Sequence, residues 1–150
     1  MARRTIFAGN WKMYTVREEA LALAKGILEG LGNAPAHEVI LFTPAVHLRE
    51  VAALCAKGPV AVGAQNMYFE KEGAFTGEIS PAMVKDSGAR WILIGHSERR
   101  HVFHETDEDV RKKLRAALDA GLLPMVCVGE LLEEREAGKS EDVVRVQVEK

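Results

Sequence analysis

Cysteine is scarce in this chain: Cys55 and Cys127 are the only two in 150 residues. Two thiols so far apart cannot supply the disulfide framework of a small secreted domain. Both lie in apolar segments and read as small buried hydrophobes rather than reactive thiols. Long hydrophobic runs are missing as well, so nothing resembles a membrane span. Arg3-Arg4 suggests a twin-arginine export signal, but only Thr5-Ile6-Phe7-Ala8-Gly9 follows, without the apolar core such a signal needs. Neither sign of charge dominates. Lys and Arg number 20 and Asp and Glu 22, a formal charge of −2 with a pI near 6.2, which leaves no electrostatic footprint for nucleic acid. These absences point to a cytoplasmic protein with no nucleic-acid or membrane partner.

What is present is ordinary for a folded chain. Hydrophobic residues make up 47% and charged residues 28% of the sequence, and its length allows one domain with a sizeable core. Apolar segments alternate between strand and helix patterns. A first strand over Thr5–Ala8 runs into Gly9-Asn10-Trp11-Lys12. Thr15 is placed to cap the first helix, with Glu18 completing a capping box. Ala20, Ala24, Ile27, Leu28 and Leu31 then recur at helical spacing up to Gly32-Asn33. Val39–Phe42 is a second strand. Leu48, Val51, Ala52 and Cys55 form the stripe of a second helix, stopped by Gly58-Pro59.

Val60–Val62 opens a third strand that ends in Gly63-Ala64-Gln65-Asn66, and a long loop follows. Ser80-Pro81 starts a short third helix, broken by Ser87-Gly88. Trp91–Ile94 is the fourth strand. Thr106-Asp107-Glu108-Asp109 opens the next helix with acidic residues where its dipole favours them. Val110, Leu114, Ala117 and Leu118 mark its inner face, and Gly121 its C-cap. A fifth strand over Leu122–Val128 leads to Gly129-Glu130. Helical pieces over Leu131–Ala137 and from Val143 onward flank Gly138.

The fourth strand carries the most chemistry. After Trp91-Ile92-Leu93-Ile94 and Gly95 come His96, Ser97, Glu98, Arg99 and Arg100 in succession. Ligands bind at the carboxyl ends of parallel strands, which places His96 for chemistry. Five strands separated by helices imply a parallel sheet with right-handed crossovers. On pattern and length alone an open, flavodoxin-like sheet is the better fit, since a (β/α)8 barrel typically needs about 250 residues. The first, third, fourth and fifth strands all end in glycine followed by polar residues, however, and a ring of such ends suits a barrel mouth.

Four motifs occur in order: Ala8-Gly9-Asn10-Trp11-Lys12, Gly73-Ala74-Phe75-Thr76-Gly77-Glu78-Ile79-Ser80, Gly95-His96-Ser97-Glu98-Arg99-Arg100 and Cys127-Val128-Gly129-Glu130. Together they closely resemble the triosephosphate isomerase family, from Arg4 to the last residue. The resemblance implies a (β/α)8 TIM barrel, of which residues 1–150 form a single incomplete domain from strand 1 through helix 5. It implies interconversion of dihydroxyacetone phosphate and glyceraldehyde 3-phosphate through an enediolate, without metal or organic cofactor.

In that reaction Lys12 would bring positive charge to the substrate phosphate and the enediolate oxygen, and Asn10 would donate a hydrogen bond nearby. His96 corresponds to the family's electrophile, a standard example of an imidazole kept neutral by a helix N-terminus. Glu98 would pair with Lys12 or fix the loop, and Ser97 would contact the base in the open state. The family's base, a lid glutamate after the sixth strand, and the phosphate-binding amides of the loops after strands six to eight have no counterpart here. The chain alone is therefore expected to be inactive. Glu98 is too close to His96 to replace the base, and Glu130 reads as a partner of the lid.

Two other classes compete. His96, Glu98, His101, His104 and Glu105 crowd into ten residues, as in a metal hydrolase, but neither P-C-x-x-C nor H-E-x-x-H occurs. A non-catalytic half-barrel, binding a complementary chain or itself, is the second alternative. The loop Asn66–Ile79 carries Met67, Tyr68, Phe69 and Phe75, an apolar content that marks an interface if exposed. In the family this loop enters a pocket of a second subunit, so a homodimer with Phe75 and Thr76 at its interface is expected.

Overall fold

Five short strands, rich in β-branched and aromatic residues, build one parallel sheet. In the computed structural model, which describes residues 5–32 and 37–149, they are β1 (Ile6–Asn10), β2 (Glu38–Thr43), β3 (Val60–Ala64), β4 (Trp91–Ile94) and β5 (Leu123–Val126). Arg3, Arg4 and Asn33 lie outside the described residues. The helices are α1 (Arg17–Leu31), α2 (Ala45–Cys55), α3 (Pro81–Asp86), α4 (Ser97–His101), α5 (Asp107–Asp119), α6 (Leu132–Glu136) and α7 (Ser140–Glu149).

The strands pair in chain order, β1-β2-β3-β4-β5, with no reversal. An open doubly wound sheet requires a reversal and helices on both faces. Here the alternating side chains separate into two unlike faces. Leu41, Val62, Ala64, Ile92 and Ile94 pack with Ala20, Ala24, Val51, Val110 and Ala117 of the helices. Ile40, Phe42, Trp91 and Leu93 pack with one another and with Ile6, Ala61 and Met125, all from strands. Helices thus cover one face while the other curls onto itself, a half-barrel rather than the open sheet that pattern and length favoured.

Curling brings inner side chains close, and Gly63 shows how close. A Cβ there would lie 2.6 Å from Phe42 and 2.8 Å from Trp91, so only glycine fits between the two rings' strands.

Local details depart from expectation where tertiary contacts intervene. Thr15 does not cap α1. It is left-handed, at φ 74, and belongs to the preceding turn, so the cap passes to Val16, whose N–H donates to Glu19 Oε2 at 3.0 Å. Leu118 is not on the inner face of α5 but 55% exposed, while Lys113 is buried in its stead. The Lys113 ammonium is drawn inward, donating to Glu105 Oε1 and, at 2.8 Å, to Asn66 Oδ1. That turns 110, 113 and 117 inward and leaves 118 outside. The helix expected from Val143 starts earlier, at Ser140.

Candidate active site

The site lies at the carboxyl ends of β1 and β4. β1 delivers Asn10 and the turn that follows it. Asn10 Oδ1 accepts the Lys12 N–H at 2.9 Å, while Gln65 Nε2 donates to Lys12 O and Phe42 O, both at 3.0 Å. Trp11, 8% exposed, anchors the turn in the core. So held, Lys12 takes a left-handed φ of 53, and its ammonium reaches Glu98 Oε1 at 2.8 Å.

β4 is followed by Gly95, at φ 68, where a Cβ would press on Val110 and Arg100. The chain then turns directly into α4. His96 is its N-cap, and Nδ1 accepts the Glu98 N–H at 3.3 Å. With Nδ1 accepting this hydrogen, Nε2 is the ring nitrogen left to donate. Glu98 Oε2 lies 3.5 Å from the same Nδ1. Lys12, Glu98 and His96 thus converge from two strand ends. Ser97, in the first turn of α4, is exposed.

The hydrogen bond and charge of Lys12 hold the Glu98 carboxyl below its usual range, and Glu98 in turn raises Lys12. Burial pushes the Cys55 and Cys127 thiols up, as suits inert side chains. Among the described residues no three His, Cys, Asp or Glu side chains gather to hold a metal. His101 and His104 are exposed. No described helix is long and apolar enough to cross a membrane.

Several organising residues carried little or no advance signal. Arg100 has a side chain only 9% exposed, and its fork donates to Gly95 O (2.8 Å), Asp107 Oδ1 (2.6 Å) and Cys127 O (3.2 Å). It ties together the ends of β4 and β5 and the start of α5. Gln65 could have been suspected from its place after a strand-end glycine. Nothing in the sequence pattern singled out the Glu105–Lys113 pair. After β5, Gln147 of α7 bonds both Gly129 N (2.8 Å) and Gly129 O (3.1 Å). Glu130 is held by Ser140 (3.1 Å) and Arg135 (3.0 Å).

A sequence model described as triosephosphate isomerase matches residues 5–150. The chain belongs to the triosephosphate isomerase family. A triosephosphate isomerase of Rhodopirellula baltica is 50% identical over 148 residues, covering 99% of this chain and 58% of the relative. One of Chloroflexus aurantiacus is 51% identical over 146 residues, 97% of this chain and again 58% of the relative. The crystal structure of triosephosphate isomerase from Bartonella henselae superposes with a TM-score of 0.92 at 40% identity, over 98% of this chain and 61% of that one. The five-stranded half-barrel therefore matches part of a TIM barrel, and the chain spans somewhat under three-fifths of these curated triosephosphate isomerases.

Proposed function

We propose that this protein interconverts dihydroxyacetone phosphate and glyceraldehyde 3-phosphate in the cytoplasm. The observation that carries the reading is the convergence of Lys12, Glu98 and His96 at the mouth of the half-barrel. A proton leaves the carbon beside the carbonyl and negative charge develops on oxygen. Fixed donors and charge stabilise that oxygen. Lys12 brings its ammonium to the phosphate and the oxyanion, and Asn10 keeps the turn in place while donating nearby. His96 donates from Nε2, a neutral acid matched to a weakly basic enediolate. Glu98 orients the lysine. No metal or organic cofactor takes part.

The base must approach from the side opposite His96. Glu98 is engaged by Lys12, and Glu130 by Ser140 and Arg135. The resemblance implies that the base and the phosphate-binding amides lie on further βα units, so that residues 1–150 would form one incomplete barrel domain, inactive alone. The test is an isomerase assay of the chain, then of the chain joined to the remaining units of a relative. Activity only in the joined protein supports the reading, and none in either defeats it.

A homodimer completes the proposal. Around the Lys12 turn Met13 is 96% exposed, Tyr14 72% and Val46 83%, and Phe75 lies 39% exposed on the long loop beside exposed Thr76. Such an apolar surface suits an isologous interface.

The half-barrel reading has its own observation. β1 and β5 each pair on one side only, and Phe7 of β1 is 58% exposed. A chain that binds a complementary half without gaining isomerase activity would favour it.

A further inference from the structure

The turn that presents Lys12 contains two left-handed residues, Lys12 at φ 53 and Thr15 at φ 74. Side chains with a Cβ enter this region reluctantly, and a β-branched threonine is an outlier there. Such a conformation persists only where its surroundings impose it. Asn10 and Gln65 account for Lys12, one meeting its N–H and the other its carbonyl. Neither bonds Thr15. Within one chain burial does not hold the tip either, since Met13, Tyr14 and Val16 are 96%, 72% and 65% exposed.

The Thr15 hydroxyl donates to the Tyr14 carbonyl within the turn, and one bond reaches Thr15 from another helix. His47, in the first turn of α2, places Nε2 3.1 Å from the Thr15 carbonyl. The ring is 9% exposed, although its neighbours Ala45 and Val46 stand in solvent. A carbonyl oxygen only accepts, so the proton of this bond belongs to Nε2. We propose that His47 is a positioning residue: its Nε2–H pins the Thr15 carbonyl, locks the left-handed turn and so keeps the Lys12 ammonium beside Glu98. The catalytic consequence rests on the isomerase reading above, whereas the pin itself does not. With it, the turn is fixed at both ends, by Gln65 at Lys12 and by His47 at Thr15. Without it, Thr15 is tethered through its neighbours and through the Val16 N–H bond to Glu19, and the lysine loses its fixed address.

The test compares His47→Leu, which removes the donor, with His47→Gln, which retains an N–H at similar reach. Two quantities are read. One is amide exchange from Lys12 to Val16. The other is the acylation rate of the Lys12 amine relative to that of Lys25, an exposed lysine on α1 that faces Glu29. In His47→Leu both should rise about three- to tenfold, the factor one net hydrogen bond carries, with Lys25 unchanged. His47→Gln should stay near wild type. Wild-type protein gives a check that needs no variant: nitrogen NMR at alkaline pH should find the His47 proton on Nε2. A bare Nε2, an unchanged Lys12 rate in His47→Leu, or a His47→Gln as loose as His47→Leu would each overturn the pin. Isomerase activity is assayed separately. The expected labelling in a joined protein that does not isomerise would defeat the functional reading alone. An active enzyme whose Lys12 labelling ignores His47→Leu would defeat the pin alone.

Discussion

Lys12 and Glu98 set each other's ionisation, and the signs give a pH window. Glu98 is depressed below 4.5, so its side of the pair is complete above that value and is lost only as pH falls through the lowered one. Lys12 is raised above 10.5, so its side is complete below that and is lost as pH rises through the raised value. The pair therefore spans the whole neutral range. Carbon NMR of the Glu98 carboxyl should show a midpoint under 4.5 in wild type and a rise toward the ordinary value in Lys12→Met. In a complete enzyme the same substitution should lower the rate by roughly 10²–10³, because charge is withdrawn from the developing oxyanion. A folded Lys12→Met enzyme with an intact rate would contradict the assignment. His96→Gln should reduce kcat with little change in KM, since a donor to the developing oxyanion acts mainly in the transition state. In wild type, nitrogen NMR should find Nδ1 bare and Nε2 protonated, and an imidazolium at neutral pH would rule this role out.

At the scale of elements, α5 matters because the turn carrying His96 is braced against it. Its first turn receives Arg100 through Asp107, and its second receives Glu105 through Lys113. The helix is started by a reciprocal cap: Thr106 Oγ1 accepts the Asp109 N–H at 3.2 Å, and Asp109 Oδ2 accepts the Thr106 N–H at 3.0 Å. Thr106→Ala should cost about 1 kcal/mol of stability, read as a lower urea midpoint with an unchanged m-value. The long loop after β3 behaves differently from a helix. Met67 is fully buried in the core, while Tyr68 stacks on Phe69 and meets Phe75 at 4.4 Å between ring centroids. The Tyr68 N–H donates to Ile79 O at 2.8 Å and closes the loop's base. Of the apolar content noticed in sequence, Met67 thus serves the core, the aromatics cluster together, and Phe75 remains partly open to a partner.

At the scale of the whole molecule, that loop and the Lys12 turn make the dimer proposal testable. Deleting Tyr68–Thr76 should give a monomer of the complete protein with greatly reduced activity, because the lysine turn loses its brace from the second subunit. Sedimentation separates the outcomes: a truncated protein that still sediments as a dimer, or a monomer with full activity, would refute the proposal.

Much of this molecule was legible in its chain. Periodicity and turn residues located all five strands, and Ser80 was recognisable as a cap because capping is local chemistry. His96 stood out because polar residues after a strand-end glycine have few structural uses, whereas Lys12 entered through the motif it shares with the family. Closure was not legible from pattern. Whether parallel strands stay open or curl depends on strand order and on inner packing such as Phe42 and Trp91 around Gly63, and those contacts join residues far apart in sequence. The same holds for Lys113, whose burial follows from Glu105 and Asn66 rather than from its own polarity. Local propensity and spacing act within a few residues of the chain and can be read there. A buried charge, a guanidinium bridging two strand ends, and a histidine pinning a strained turn from another helix exist only once the fold has assembled their partners.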